Sequence, residues 1–331
     1  MSEQSPIKFF SQGAILNEFN VAGHNIVLSF PSPEAYIDAQ YFGETIGRVA
    51  NRIPNGQIHN LNGREYQLCV NKGTNHLHGG KEGWGKKTFR GPTPVSHNGK
   101  NAVRYTYLSP DGEEGYPGAV ELQVFYTVYE KNEQGVAKTT LEVEYHVELM
   151  SQECDETAVN VTNHSYFNLS GSDTIEGTQA VLSTVDYLPV DHNGIPLGSV
   201  ESYPGLEAGR PFVLHANEGK IDHCFVLERD ISNIPLDTRA RQAQLLASFS
   251  HPDTKIHLEV YSTEPAFQFY TGQHIKVAAS EYGPEMKSGA GFCVEPGRYT
   301  NAINVPEWRS MMALRQGQVW GAKNIYKAWK A

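Results

Sequence analysis

An all-β protein, built as a large antiparallel β-sandwich with a few short helices, is what this sequence predicts. Three observations carry the expectation. In Leu141-Glu-Val-Glu-Tyr-His-Val-Glu-Leu149 every odd position is apolar or aromatic and every even one is polar, which gives a strand one buried and one wet face. Turn dipeptides punctuate the chain at Asn62-Gly63, Asn98-Gly99, Asp111-Gly112 and Asn193-Gly194, as short strands joined by tight turns require. Hardly any stretch carries heptad-like spacing.

The individual elements follow in chain order. Val120-Glu-Leu-Gln-Val-Phe-Tyr-Thr-Val-Tyr129 is rich in β-branched and aromatic residues and reads as a strand. Leu141–Leu149 is the next, and Ile256-His-Leu-Glu-Val260 repeats its alternation. Two segments are predicted as short helices, one near Asp237 to Leu246 and one around Arg309 to Leu314. The length of 331 residues allows two ordinary domains or one large β domain. With no internal repeat, low-complexity tract or linker, residues 1–331 are expected to form one domain.

Composition narrows the function classes. A hydrophobic fraction of 39% with 11% aromatics supplies a core, which sets disorder aside. A formal net charge of -10 argues against nucleic acid or an anionic membrane as partner. No apolar run approaches the roughly 20 residues of a membrane-spanning helix, and Met1–Pro6 lacks the features of a secretory signal. Cys69, Cys154, Cys224 and Cys293 form no C-x-x-C pair, so reduced thiols are expected. Sequons starting at Asn160, Asn163 and Asn168 lie too close together on one strand for a glycosylated protein. A cytoplasmic location is the expectation.

Five clusters look chemical: Gly47-Arg48-Val-Ala-Asn51-Arg52-Ile53, Asn75-His76-Leu-His78-Gly79-Gly80, Asn163-His164-Ser-Tyr166-Phe-Asn168, Asp222-His223 and Phe292-Cys-Val-Glu295. Taken singly, each also suits a turn or a hydrogen-bonded strand residue. His76 and His78 with Asp222 or His223 are a conceivable zinc set, but no paired ligand spacing supports one. No G-x-S-x-G elbow marks a serine hydrolase, and no cysteine carries a nucleophile signature.

In their joint order the clusters resemble the galactose mutarotase (aldose 1-epimerase) family, from about Gly43 to Pro306. The resemblance also takes in Ser109-Pro-Asp-Gly-Glu-Glu-Gly-Tyr-Pro-Gly118, Tyr187-Leu-Pro-Val-Asp191 and Val260-Tyr-Ser-Thr-Glu-Pro-x-x-Gln268-Phe-Tyr-Thr-Gly272. It implies the family's fold, a galactose mutarotase-like supersandwich, and interconversion of the α and β anomers of a free aldohexose such as galactose or glucose. Glu295 would be the general base at the anomeric hydroxyl and His164 the general acid at the ring oxygen. Arg52 and His78 would hold the sugar near the reacting centre with Asn51 alongside. Asp222 would accept from hydroxyls across the ring with Gln268 nearby, and Tyr166 would stack on or edge the sugar. Trp84 is a second candidate platform. The carboxylate and a protonated imidazole are expected to keep each other charged. No metal or organic cofactor is implied, and monomer and homodimer both stay open.

The match departs from the family pattern in two places. Glu295 is followed by Pro296-Gly297-Arg298 instead of Thr-Gln, although the spacing to Ala302, Asn304 and Pro306 is kept. Cys224 follows Asp222-His223 where Asn is usual. Arg298 is expected either to alter sugar preference or to pair with a loop carboxylate. Three rivals remain: a hexose-phosphate epimerase, a non-catalytic sugar-binding module on the same fold, and a carbohydrate-processing domain detached from a larger bifunctional enzyme.

Overall fold

A computed structural model describes residues 5–37 and 39–331. Its largest element is a nine-stranded sheet. The strand order is Phe212–Val213, Gln179–Leu182, Gln244–Ser250, Ile256–Ser262, Val319–Lys330, Val136–Leu149, Val120–Glu133, Lys100–Ser109 and Arg90–His97. Every neighbouring pair is antiparallel. Its longest hairpin runs in unbroken register from Val120 opposite Leu149 to Glu133 opposite Val136. Gln134 and Gly135 close it with φ of 54° and 83°, the backbone of a two-residue turn whose twist matches the strands. Asn62-Gly63 and Asn98-Gly99 close shorter hairpins with the same left-handed pair of residues.

Alternation sorts the side chains as the sequence predicts. Ile256–Ser262 buries every odd-placed residue and leaves the others half-exposed. In the other long strand Leu141, Val143, Tyr145 and Val147 are buried as expected. Glu144 breaks the pattern: it is buried too, held by His97, Asn98 and Lys323.

A second, five-stranded antiparallel sheet has the order Glu201–Ser202, Asp186–Tyr187, Asp222–Val226, Ala266–Tyr270, Cys293–Gly297. One of its faces presents Phe225, Phe267, Phe269 and Val294, which join Phe249, Leu258, Val260 and Tyr326 of the large sheet in one apolar cluster. The two sheets thus share a core, and the fold is the expected antiparallel sandwich. Burying each such side chain stabilises it by about 1.5–3 kcal/mol.

Neither expected helix forms as an α-helix. Among the described residues only 3-10 turns of three or four residues occur. Arg309–Met311 is one of them, and Ala313–Arg315 is already a strand. Asp237 to Leu246 instead ends in the strand Gln244–Ser250. Its polar residues are diverted: Asp237 accepts from the backbone N–H and the guanidinium of Arg239, and Thr238 donates to buried Glu264. Such side-chain bonds compete with a helical backbone. No described helix is long and apolar enough to cross a membrane.

Candidate active site

Strand parity builds the floor of the site. Gln268 lies opposite both Cys224 and Glu295, and Tyr270 lies opposite Asp222 and Cys293. Since alternate residues share a face, Asp222, Gln268, Tyr270, Cys293 and Glu295 all point away from the phenylalanine core. Segments from the first half of the chain roof this face.

Asn51 and His78 come from a two-strand clasp in which Arg52 faces Leu77 and Ile53 faces His76. Asn51 and His78 both have left-handed backbones, φ 64° and 50°. The Asn51 N–H donates to His78 Nδ1 at 3.2 Å, and the His78 N–H donates to the Asn51 carbonyl at 3.1 Å. The imidazole is therefore turned so that Nε2 is its free nitrogen. Gly79 has φ 84°, and a Cβ there would run into the Gly47 carbonyl oxygen, so a glycine at this position serves the clasp. Gly79→Ala is expected to cost about 1–3 kcal/mol and to displace His78; thermal denaturation with a sugar-affinity measurement checks it.

Arg48, between those elements, is not a sugar contact. It is buried and donates to the carbonyls of Pro110, Pro117 and Gly118 and to Ser109 Oγ. The Ser109–Gly118 motif is thus the receptor for a structural arginine.

His164 ends the strand Thr162–His164, paired with Glu44–Ile46. Its Nε2 lies 3.4 Å from Glu295 Oε1, and its Nδ1 lies 3.4 Å from Cys293 Sγ. A polar chain continues from there. Arg52 donates to Asn51 Oδ1 at 3.2 Å, Asn51 Nδ2 to Gln268 Oε1 at 2.9 Å, and Gln268 Nε2 to Asp222 Oδ1 at 2.6 Å. Arg52 Nη2 also stands 3.9 Å from Asp222 Oδ2. All eight residues singled out in the sequence — Asn51, Arg52, His78, His164, Tyr166, Asp222, Gln268 and Glu295 — line one cleft of about 250 Å³.

Burial sets the protonation states. Burial, reinforced by Asp222 and opposed by Arg52, pushes the Glu295 carboxyl well above the usual carboxylate range. Burial pulls His164 down to about 4. His78 is also lowered, by burial first and then by His164 and Arg52. The expected doubly charged pair is therefore corrected. Desolvation drives both Glu295 and His164 towards their uncharged forms.

The structure also decides three other readings. Trp84 is buried against Gly47 and does not line the cleft. Arg298 pairs with Glu264, Nε to Oε2 at 3.1 Å with both side chains fully buried, and donates to the Leu236 carbonyl at 2.9 Å. Of its two predicted roles, carboxylate pairing is the one observed. The conceivable zinc set is not assembled, because His76 is occupied by the Cys69 carbonyl and the Tyr116 hydroxyl, and His223 packs against Tyr187 and Tyr203. The donor atoms that do converge, within 4.8 Å, belong to His78, His164 and Glu295.

Sequence reasoning missed Tyr41, Tyr270, Lys72 and His274 in the lining. Tyr270 was within reach, since it lies two residues beyond Gln268 on the same strand face. Tyr41 carried no local signal: its ring stands 4.7 Å from that of His78 and 5.4 Å from that of His164, on a backbone with φ 75°. Such a conformation is costly for a bulky residue and is concentrated at functional sites.

Residues 2–327 match the family described as aldose 1-epimerase. The chain belongs to the aldose 1-epimerase family. Among its relatives, a human galactose mutarotase is 34% identical over 314 residues, covering 92% of this chain and 83% of that protein. The fission yeast bifunctional protein gal10 is 35% identical over 98% of this chain. The chain spans only 44% of that bifunctional protein's length. Among solved structures, a galactose 1-epimerase from Lactobacillus acidophilus is similar at a TM-score of 0.76 and 25% identity, covering 97% of this chain and 90% of that one. An aldose epimerase homologue from C. elegans shares the fold at a TM-score of 0.81 and 24% identity, covering 98% and 95%.

Proposed function

We propose that this chain is an aldose 1-epimerase, interconverting the α and β anomers of free aldohexoses such as galactose and glucose. The observation that carries the reading is the buried contact between His164 Nε2 and Glu295 Oε1, 3.4 Å apart in a cleft lined by hydroxyl-binding side chains. Residues 1–331 are taken as one unit for this chemistry.

Ring opening needs a base at O1 and an acid at O5. Glu295 takes the proton from the anomeric hydroxyl and the O1 electron pair forms the carbonyl. The C1–O5 bond breaks, and O5 takes the proton from His164 Nε2. Rotation about C1–C2 and the reverse transfers close the ring with the other configuration. The reactive distribution has the pair's one proton on His164, which burial disfavours, so the proton is first drawn from Glu295 to His164; after ring opening it is again on Glu295. That second distribution, neutral acid and neutral imidazole, is the one burial favours, so the proton shift to His164 that precedes ring opening is the uphill step. No leaving group departs and no covalent intermediate is required.

Binding falls to the remaining side chains. Arg52 and His78 reach the reacting centre, and Asp222 accepts from ring hydroxyls through charge-assisted bonds. Asn51 and Gln268 hold Asp222 and Arg52 in place through their amide chain. Tyr166 meets an edge of the sugar.

Polarimetry of freshly dissolved α-D-galactose and α-D-glucose tests the proposal. Accelerated anomer equilibration supports it. Sugar binding without acceleration favours the sugar-binding module, and a response to hexose phosphates alone favours the phosphate-sugar rival.

The proton count also sets the pH dependence. Activity needs the one-proton pair, which is lost on the acid side when a second proton adds and on the alkaline side when the last one leaves. His164 is pulled down to about 4 and Glu295 is raised. kcat/KM is therefore expected to fall on the acid side only as pH approaches 4 and to decline on the alkaline side at a pH above the ordinary carboxylate range. An acid limb near 6.5, that of a solvent-exposed imidazole, would contradict the buried-pair assignment.

A further inference from the structure

Cys293 is a buried thiol that the proton transfers above do not use. It sits two residues before Glu295 on the same strand and the same face. One strand therefore presents a different atom to each ring nitrogen of His164: Glu295 Oε1 at 3.4 Å from Nε2, and Cys293 Sγ at 3.4 Å from Nδ1. Both Cys293 and His164 are buried.

We propose that Cys293 is a positioning residue whose sulfur accepts the His164 Nδ1–H, fixing the tautomer that leaves Nε2 as the nitrogen that exchanges protons with the sugar and Glu295. The proposal rests on the acid–base reading of His164 given above. Its chemistry follows from the nitrogen not facing the substrate. An imidazole that must release and recover a proton at Nε2 has to be neutral as the Nδ1–H tautomer between the two transfers. A buried Nδ1–H needs an acceptor, because leaving it unmade is expensive.

The kind of acceptor matters. A carboxylate would orient the ring and also hold the imidazolium charge, as in a Ser-His-Asp triad. A thiol sulfur is a weak, neutral acceptor, so it sets the tautomer without trapping the proton on the ring. Burial, with Glu295 and Asp222 adding to it, keeps the thiol protonated and uncharged. Cys293 Sγ is the side-chain partner of Nδ1 in the hydrogen-bond pattern of the described residues, beside a bond from the ring to the backbone of His164 itself. The remaining groups around the ring are Tyr166 on its own segment, Tyr270 on the neighbouring strand, His78, and Tyr41. Arg52 and Asp222 reach it through Glu295.

The experiment uses the full chain, ¹⁵N-labelled at histidine, with long-range ¹H–¹⁵N correlation to read the His164 tautomer in the ligand-free protein. Polarimetric kcat, KM and pH profiles accompany it. Wild type is expected to show Nδ1–H. Cys293→Ala is expected to mix the tautomers and lower kcat about tenfold, with KM within about twofold. Cys293→Ser, which restores an acceptor, is expected to recover Nδ1–H and most of kcat. Cys293→Asp is expected to move the acid limb of kcat up by about one pH unit or more.

The proposal is overturned if Cys293→Ala keeps the wild-type tautomer, kcat and acid limb, or if wild type already carries Nε2–H. If the alanine variant does not fold, the serine variant decides alone: retained Nδ1–H supports the proposal, and a folded protein with a switched tautomer overturns it. A wild type that shows Nδ1–H but does not hasten anomer equilibration would sink the epimerase reading and leave the thiol–imidazole bond standing.

Discussion

Glu295→Gln is expected to slow anomer equilibration by about 10²–10⁴-fold while making the protein more stable. The carboxyl is buried beside Asp222, and its ionisation is opposed by both burial and that neighbour. Glutamine keeps the shape and removes the ionisation together with the ability to take the O1 proton. His164→Asn is expected to lose a comparable factor, and the double variant little more than either alone, since the two groups pass one proton between them.

The stability gain has a defined pH sign. Because the folded-state pKa of Glu295 is raised, the unfolded chain releases this proton first, and the fold loses stability as pH rises from about 4.3 through the folded value. The Gln variant escapes that loss. Its gain is expected to be about 1 kcal/mol near neutrality, or about 2–4 °C in Tm, and to vanish below about pH 4. Polarimetry and thermal melts at pH 4 and pH 7 check both parts. A variant that keeps most of the wild-type rate would remove Glu295 from the mechanism.

The largest expected loss of stability lies away from the cleft. Arg298→Met is expected to destabilise the fold by about 3–5 kcal/mol, and Glu264→Gln by a similar amount, because each leaves the other's charge buried without its counterpart. The pair ties the end of the site sheet to the large one. Arg298 Nη2 donates to the carbonyls of Leu236 and Gly321, and Thr238 donates to Glu264 Oε1 at 2.8 Å.

Burial lowers the Arg298 pKa and raises that of Glu264 despite their attraction, so the pair is held at a net cost of desolvation. Replacing both partners by apolar residues, Arg298→Met with Glu264→Leu, is therefore expected to recover most of the loss. Denaturant titration of the four proteins measures the coupling. The galactose-to-glucose rate ratio is expected to stay unchanged throughout, since Arg298 does not line the sugar cleft. A shift in that ratio would restore the specificity role that the sequence also allowed.

These two sites show how differently the parts of the molecule were legible. Asn51, Arg52 and His78 belong to two short motifs whose glycines and left-handed residues shape their own backbone, so a linear pattern carries the geometry. Asp222, Gln268, Tyr270 and Glu295 share a face because strand alternation obliges them to, whatever the sandwich does elsewhere. Tyr41 had no such signal. The segment Asp237 to Leu246 was misread because its helix-like spacing competes with a side-chain bond to its own backbone and with bonds to Gly321 and Glu264, the last two of which need the completed sheets.

By itself the sequence determined the strand faces and the tight turns, which rest on local stereochemistry and period-two alternation, while the roles expected of Glu295 and His164 came from the family resemblance. Only the tertiary structure decided that Trp84 is core, that Arg298 faces Glu264 and not the sugar, that Cys293 meets the back of His164, and that burial drives Glu295 and His164 towards their uncharged forms. The physical reason is common to all four. Which group lies across from a side chain, and how much water is left beside it, depends on the segments that fold over it, and the energies of charges and protons follow that surrounding dielectric more than the identity of the residue.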